Sequence, residues 1–227
     1  MDGLRHRTIA LALAAMLAGA GLSAASKEKL SLKKLTQRLP TRVTDKDGTA
    51  GDMVNFVLVG SRETVEQALQ AGGWKAVDRT PEEAAVRIFE SILNKRVYIA
   101  LPMSELFLFG RAQDFGFARA DPVAVIAERH HFRLWKSPWK TTDGDTIWLG
   151  AGTHDIGFEE DQRTGDITHK IDPEVDNERE FIGATLREAG RVAGFGYLRL
   201  PAPVREATTA HGGPYRSDGR VLVLLLK

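Results

Sequence analysis

Four of the chain's six histidines fall in one stretch, beside arginine and aspartate. It reads Arg129-His130-His131-Phe132-Arg133-Leu134-Trp135, then Gly150-Ala151-Gly152-Thr153-His154-Asp155, then Thr168-His169-Lys170-Ile171-Asp172-Pro173. Imidazole and carboxylate exchange protons near neutral pH and also ligate divalent cations. His130, His131, His154, Asp155, His169 and Asp172 are therefore the candidate catalytic residues. Guanidinium forks match phosphate and carboxylate, which makes Arg111, Arg129 and Arg133 the candidates for holding an anionic group. For a divalent metal cofactor the candidate ligands are His130, His154 and His169, since three ligands and one open position make a catalytic site. No compact motif such as His-Glu-x-x-His sets that geometry, so ligands on separate segments have to be brought together by the fold.

The elements that carry these residues read as strands, and alternation assigns their faces. His130 shares a face with Phe132 and Leu134, whereas Arg129, His131, Arg133 and Trp135 share the other; His169 lies between Ile167 and Ile171. A histidine on an apolar face is more often a core residue hydrogen-bonded to a buried carboxylate or carbonyl than a ligand or catalyst. The arginines have competing partners in Asp114, Asp155 and Asp172. Asp172 also precedes Pro173 at a helix start, where an acidic residue caps and complements the dipole. Gly150-Ala151-Gly152 is too short for a phosphate loop and reads as a place where another segment approaches closely. Ser61 lacks a Gly-x-Ser-x-Gly context, which argues against a serine hydrolase.

With 43% hydrophobic and 27% charged residues among 227, the chain has material for one globular domain. Its start differs. Asp2, Arg5, His6 and Arg7 precede an uncharged Ala- and Leu-rich run, and Ser23-Ala24-Ala25 supplies small residues for cleavage before Ser26. Residues 1–25 read as a signal peptide, giving a periplasmic or secreted protein; the alternative is an uncleaved N-terminal anchor. Those residues include Arg5, Arg7 and Asp2, taken from 31 basic and 30 acidic residues, so the remainder is formally neutral. Neutrality argues against a nucleic-acid partner, because phosphate binding is driven by a basic face. There is no cysteine, which excludes disulfides, thiolate nucleophiles, iron–sulfur ligation and lipoprotein acylation.

Residues 26–50, rich in Lys, Arg, Asp, Ser and Thr, read as a polar linker, and residues 51–227 as a single domain. The domain opens with a strand at Val54-Asn55-Phe56-Val57-Leu58-Val59. A helix capped by Ser61 follows, ending at Gly72-Gly73 with Trp74 as a core anchor. A second helix starts at Thr80-Pro81-Glu82-Glu83. Strands are expected at Val97-Tyr98-Ile99-Ala100 and Glu105-Leu106-Phe107-Leu108-Phe109, and at Phe115-Gly116-Phe117. Asp121-Pro122 opens a short turn. Asp143-Gly144-Asp145 marks a hairpin joining the Arg129 strand to Thr146-Ile147-Trp148-Leu149. A helix from Glu178 to Ala189, stopped by Gly190, precedes two last strands, of which the aliphatic run from Val221 to Leu226 must be buried. The expected fold is α+β, a mainly antiparallel sheet with two to three helices on one side.

These residues also carry a resemblance. Gly51-Asp52-Met53-Val54-Asn55, Val59-Gly60-Ser61, Gly73-Trp74, Leu108-Phe109-Gly110-Arg111-Ala112-Gln113-Asp114, the Arg129 strand and Ile167-Thr168-His169-Lys170-Ile171-Asp172-Pro173-Glu174-Val175-Asp176 together resemble the LssY-like C-terminal domain, over roughly 51–190. That family has no assigned function or catalytic residues. It often follows a membrane-embedded region, in some proteins one resembling a lipid-phosphate phosphatase, so the resemblance implies work at the bacterial envelope. Lys170 stands where the family often has a second histidine. The leading expectation is a hydrolase or small anionic-ligand site built from the His/Asp/Arg cluster. The alternative is a non-catalytic module for a membrane-associated protein partner or a lipid headgroup, presenting Trp135, Trp139 and Trp148 on an open surface. Intact mass of protein recovered from the envelope is expected to match a chain beginning at Ser26. A chain retaining Met1 and fractionating with membrane would contradict cleavage.

Overall fold

The computed structural model describes residues 29–77, 103–119 and 128–227. The expected signal segment, the helix starting at Thr80, the strand from Val97 to Ala100 and the Asp121-Pro122 turn lie outside them. The molecule is built on a long hairpin. Strands β9 (Glu128–Thr141) and β10 (Thr146–Glu160) pair antiparallel across the Asp143-Gly144-Asp145 turn, where Gly144 takes a φ of +98°. The register sets Arg129 opposite Asp155, His131 opposite Thr153, Leu134 opposite Gly150 and Trp135 opposite Leu149.

The sheet grows from both edges of this hairpin. On the β10 side lie β4 (Phe56–Val59), β15 (Arg220–Leu226) and β12 (Val192–Arg199); on the β9 side lie β8 (Phe115–Arg119) and β5 (Lys75–Ala76). Strand β11 (Ile167–Ile171) continues along β10 beyond β4, and β1 (Lys29–Leu30) runs parallel to the end of β9. The β4–β15 pair is also parallel, so the sheet is mixed. Its two central aliphatic strands are covered on both faces, as their unbroken apolar runs require. A smaller sheet joins β2 (Arg42–Thr44), β3 (Ala50–Met53), β6 (Phe107–Leu108) and β7 (Arg111–Ala112), and β13 (Glu206–Thr208) forms a hairpin with β14 (Pro214–Arg216).

Two apolar clusters cover the opposite faces of the large sheet. Phe56, Leu58, Phe132, Leu134, Trp148 and Leu222 meet α2 (Arg62–Ala71) and α3 (Val175–Glu188) on one face. Val57, Trp135, Leu149 and Val223 meet Leu35 of α1 (Leu32–Arg38) on the other. The fold is α+β, but the helices do not all pack on one side. Nor are residues 26–50 a linker once Lys29 is reached. Leu30, Leu35, Leu39 and Val43 are buried in the second cluster, while Lys33, Lys34 and Arg38 remain exposed. The charged residues are the wet side of an amphipathic segment, and they mask four widely spaced core positions.

Asn55 splices β4 into the hairpin and the helix behind it. Its buried amide donates to Gly152 O at 2.9 Å and to Val175 O at 3.3 Å, and its Oδ1 accepts from Gly152 N at 3.0 Å. Arg179, 1% exposed, fastens α3 to the β15 end through Asp176, Glu180, Asp218 and the carbonyl of Arg220. Gly150 and Gly152 do permit close approach. A Cβ at Gly150 would lie 2.1 Å from the Phe56 ring, and one at Gly152 would lie 2.6 Å from Ile182 Cδ1. Gly150→Ala is expected to lower stability by about 1–3 kcal/mol in urea unfolding, because the fully buried Phe56 ring has nowhere to go. Gly196→Ala, with open space at the same atom, is expected to stay within about 0.5 kcal/mol of wild type.

Candidate functional site

The hairpin register that buries Trp135 and Leu149 at one end forces polar side chains onto the same face at the other. Arg129, His131 and Arg133 of β9 and Thr153 and Asp155 of β10 are all buried there. A register shift between Asp155 and Gly157 bends β10 where β11 joins, bringing His169 onto Asp155. With Asp52 of β3 and the segment around Ser104, these residues line a cleft of about 250 Å³.

Asp155 is its centre. Its Oδ2 lies 3.3 Å from Arg129 Nη2, 3.4 Å from His131 Nδ1 and 3.4 Å from His169 Nδ1. Its Oδ1 is buried without a hydrogen-bond partner among the described residues, as is His169 Nδ1. Burial pushes the Asp155 carboxyl up to about 7 against the opposing pull of Arg129 and Arg133. Burial also holds His131 well below the usual imidazole range, helped by Arg129 and Arg133, and its Nε2 is hydrogen-bonded to Thr153 Oγ1 at 3.0 Å. His169 is shifted down by burial and then by Arg129, but its ring is 38% exposed. Arg133 donates to Ser104 O and Oγ at 3.1 and 3.2 Å and faces Asp52 Oδ2 at 3.5 Å. The arrangement combines an anchored imidazole, a shared carboxylate and two buried guanidinium groups. Chemically it can hold an anion and transfer a proton beside it.

The remaining candidates lie elsewhere. His130 and His154, cross-strand neighbours, occupy the opposite face beneath α3. The His130 ring stacks on His154 at 4.1 Å and on Phe181 at 3.8 Å, and its Nδ1 meets Glu178 Oε2 at 2.6 Å. Burial, then Asp155 and Asp172, push the Glu178 carboxyl well above its ordinary value. His130 is thus a core histidine paired with a buried carboxylate. The proposed metal trio does not converge, because His130 and His154 are separated from His169 by the sheet. Among the described residues no group of three His, Asp or Glu side chains is arranged to hold a metal ion. Asp172 accepts from Glu174 N at 2.9 Å and Asn177 Nδ2 at 3.4 Å, a role at the α3 start. Arg111 pairs with Asp114 at 2.8 Å and donates to Lys136 O, away from the cleft.

Trp135 and Trp148 are 0% and 2% exposed, and Trp139 is half-buried against Phe109. The open tryptophan surface expected of a binding module is therefore replaced by core packing. A larger hollow of about 980 Å³ beside α2 is lined by the charged residues Arg62, Glu66, Lys75, Glu105 and Asp114, of which Arg62 and Glu66 have exposed side chains and are paired at 2.8 Å. It contains no buried polar cluster among the described residues. Asp52, Thr153, Glu178 and His211 were not singled out from the sequence. Asp52 sits within the quoted Gly51–Asn55 motif, and Glu178 interrupts the apolar stripe of its helix four residues before Ile182. His211, alone among Ala and Gly, offers no comparable signal.

The folded Asp155 titrates at about 7 against 3.8 for its ordinary value, so the folded state holds the extra proton between these pH values. Stability from this group is lost as pH rises through that window. Relative to Asp155→Asn, wild type is expected to lose on the order of 4 kcal/mol between pH 4 and pH 8. Parallel denaturant titrations of the two proteins check this; a constant difference across pH would contradict the raised carboxyl.

Comparison with known proteins adds one finding. The family described as LssY C-terminus matches residues 36–221, reaching further at both ends than the motifs noted in the sequence. No curated protein and no solved structure matches the chain.

Proposed function

The chain belongs to the LssY C-terminus family, and on that premise we propose that its cleft binds the anionic group of a small molecule and hydrolyses an ester beside it, in a protein exported to the bacterial envelope. Arg129 and Arg133 hold the anion. His169 is the general base, with its Nδ1 3.4 Å from Asp155 Oδ2. The observation that carries this reading is the Asp155 carboxyl. It is 1% exposed, three groups converge on its Oδ2, and its Oδ1 has no partner among the described residues. A buried polar atom left unpaired costs about 1–3 kcal/mol, a cost that a ligand hydrogen bond in the cleft would remove.

The two sides of Asp155 have different work. Toward His169 its Oδ2 lies 3.4 Å from Nδ1, a charge contact beside the ring rather than a hydrogen bond to it. Because burial and Arg129 shift His169 down, the ring is neutral at pH 7 and able to take a proton from water. Toward the cleft, a protonated Oδ1 donates to an anion, whereas an ionised one repels it. Export rests on the apolar, cysteine-free segment ending in Ser23-Ala24-Ala25.

Inorganic phosphate at millimolar concentration is expected to raise the unfolding temperature of the purified protein, and Arg133→Gln to abolish that rise. With anionic p-nitrophenyl esters, His169→Gln should lower kcat by roughly 10²–10⁴-fold with little change in KM. Absence of both a phosphate-dependent shift and any ester turnover would refute the reading.

A further inference from the structure

The same cleft is bordered by a second histidine held by a carboxylate. His211, on the loop between β13 and β14, lines it together with His169. Its Nδ1 lies 2.6 Å from Asp161 Oδ2, at the turn after β10. Asp161 is itself fixed, because its Oδ1 accepts the backbone N–H of Arg163 at 2.8 Å and of Thr164 at 3.3 Å. The Arg163 backbone bond, then the His211 contact and the Thr164 backbone bond, hold its carboxyl below the usual range. The loop is closed onto this turn. Gln162 N donates to His211 O at 3.2 Å, Thr209 N donates to Gly213 O at 2.8 Å, and Gly213 N donates to Thr209 Oγ1 at 3.1 Å. Gly212, at a φ of +93°, lies so near Gln162 that a Cβ would come within 2.8 Å of its Oε1. A surface histidine needs none of this anchoring.

We propose that His211, positioned by Asp161, is the general acid of the cleft, and that the substrate class is a phosphate diester. This rests on the hydrolytic reading given above. Two imidazoles, His211 bonded to Asp161 and His169 beside Asp155, supply the two proton transfers that ester hydrolysis requires, and the neighbouring guanidinium groups match a phosphodiester anion. In the step, His169 Nε2 removes a proton from water as the water oxygen bonds to phosphorus. The bond from phosphorus to the leaving oxygen breaks with its electron pair on that oxygen, which takes a proton from His211 Nε2. The products are a phosphate monoester and an alcohol, and the two imidazoles re-equilibrate their protons with solvent. Asp161 touches no reacting atom; it is a positioning residue.

A general acid matters in proportion to how poor the leaving group is, and this gives a test that a structural role would not pass. Two phosphodiesters are compared, one with a p-nitrophenol leaving group and one with an aliphatic alcohol. His211→Gln is expected to lower kcat by roughly 10²–10⁴-fold on the alkyl diester and by less than about tenfold on the p-nitrophenyl diester. Asp161→Asn should show the same selectivity to a smaller extent, and His169→Gln should slow both substrates alike. His211→Gln should still unfold cooperatively, at a temperature lowered only by loss of the Asp161 contact, which separates this result from misfolding. Equal loss on both diesters, or none, while His169→Gln inactivates, would overturn the acid role and leave the hydrolytic reading standing. Turnover of carboxylic esters but not diesters would overturn the substrate class. Failure of wild type to cleave any ester would remove both.

Discussion

The register of β9 against β10 is the constraint on which the rest of the structure depends. Side chains on a strand alternate with a period of two, so a slip of one residue would move every group to the other face. The Asp143-Gly144-Asp145 turn closes the hairpin, with Gly144 in a backbone region that other residues rarely adopt, and a register shift between Thr146 and Trp148 sets the pairing that continues from Trp148. Correct register places Trp135 and Leu149 in one core and Phe132 and Leu134 in the other. It also places Arg129 across from Asp155. Apolar packing at the turn end therefore fixes the polar geometry at the open end, although the two do not touch.

That coupling explains how so much polar surface can be buried. Arg129, His131, Arg133 and Asp155 would be expensive to desolvate singly, and none is left single. The guanidinium of Arg129 meets Asp155, that of Arg133 meets Ser104 and Asp52, and His131 meets Thr153. The compensation is incomplete at Asp155 Oδ1, which has no partner among the described residues. On the opposite face Glu178 Oε1 is likewise buried without a partner among the described residues. His130 and Glu178 share a 2.6 Å contact under α3, where the His130 ring lies between those of His154 and Phe181. Two histidines adjacent in sequence thus have unlike roles because a sheet stands between them.

The segments outside the hairpin act mainly as walls. Strand β3 contributes Asp52, and the β13–β14 hairpin contributes Thr209 and His211. Both are tied back: Arg42 donates to Gly51 O at 2.9 Å and to Thr208 O, and the Tyr215 hydroxyl donates to Gly51 O. The Arg179 network performs the same service at the far end of the sheet. There burial pushes the Asp218 carboxyl up, but Arg179 and Arg220 hold it well below its ordinary value. The longest of these contacts, Arg42 to Thr208 and Tyr215 to Gly51 at the cleft and Arg179 to Asp218 at the helix, join remote positions, which is why the walls were not visible as a unit in the chain.

The sequence by itself determined what local rules control. Alternation separated the face of Arg129, His131 and Arg133 from that of His130, the hairpin turn was written in Asp143-Gly144-Asp145, and Ser61 and Gly72-Gly73 bounded α2. The glycines at 150 and 152 announced close approach, and the aliphatic run at Val221 announced a buried strand. Only the tertiary structure decided which polar residues meet. It put His154 with His130 rather than with His169, assigned Asp172 to a helix start and Arg111 to Asp114, and carried Glu178 and His211 in from remote segments. It also turned the charged stretch from Lys29 onward into a strand and an amphipathic helix with Leu30 and Leu35 in the core. The reason is physical: periodicity and turn chemistry act within a few residues, whereas convergence on Asp155 is set by sheet order and by a bend in β10, neither of which a linear pattern encodes.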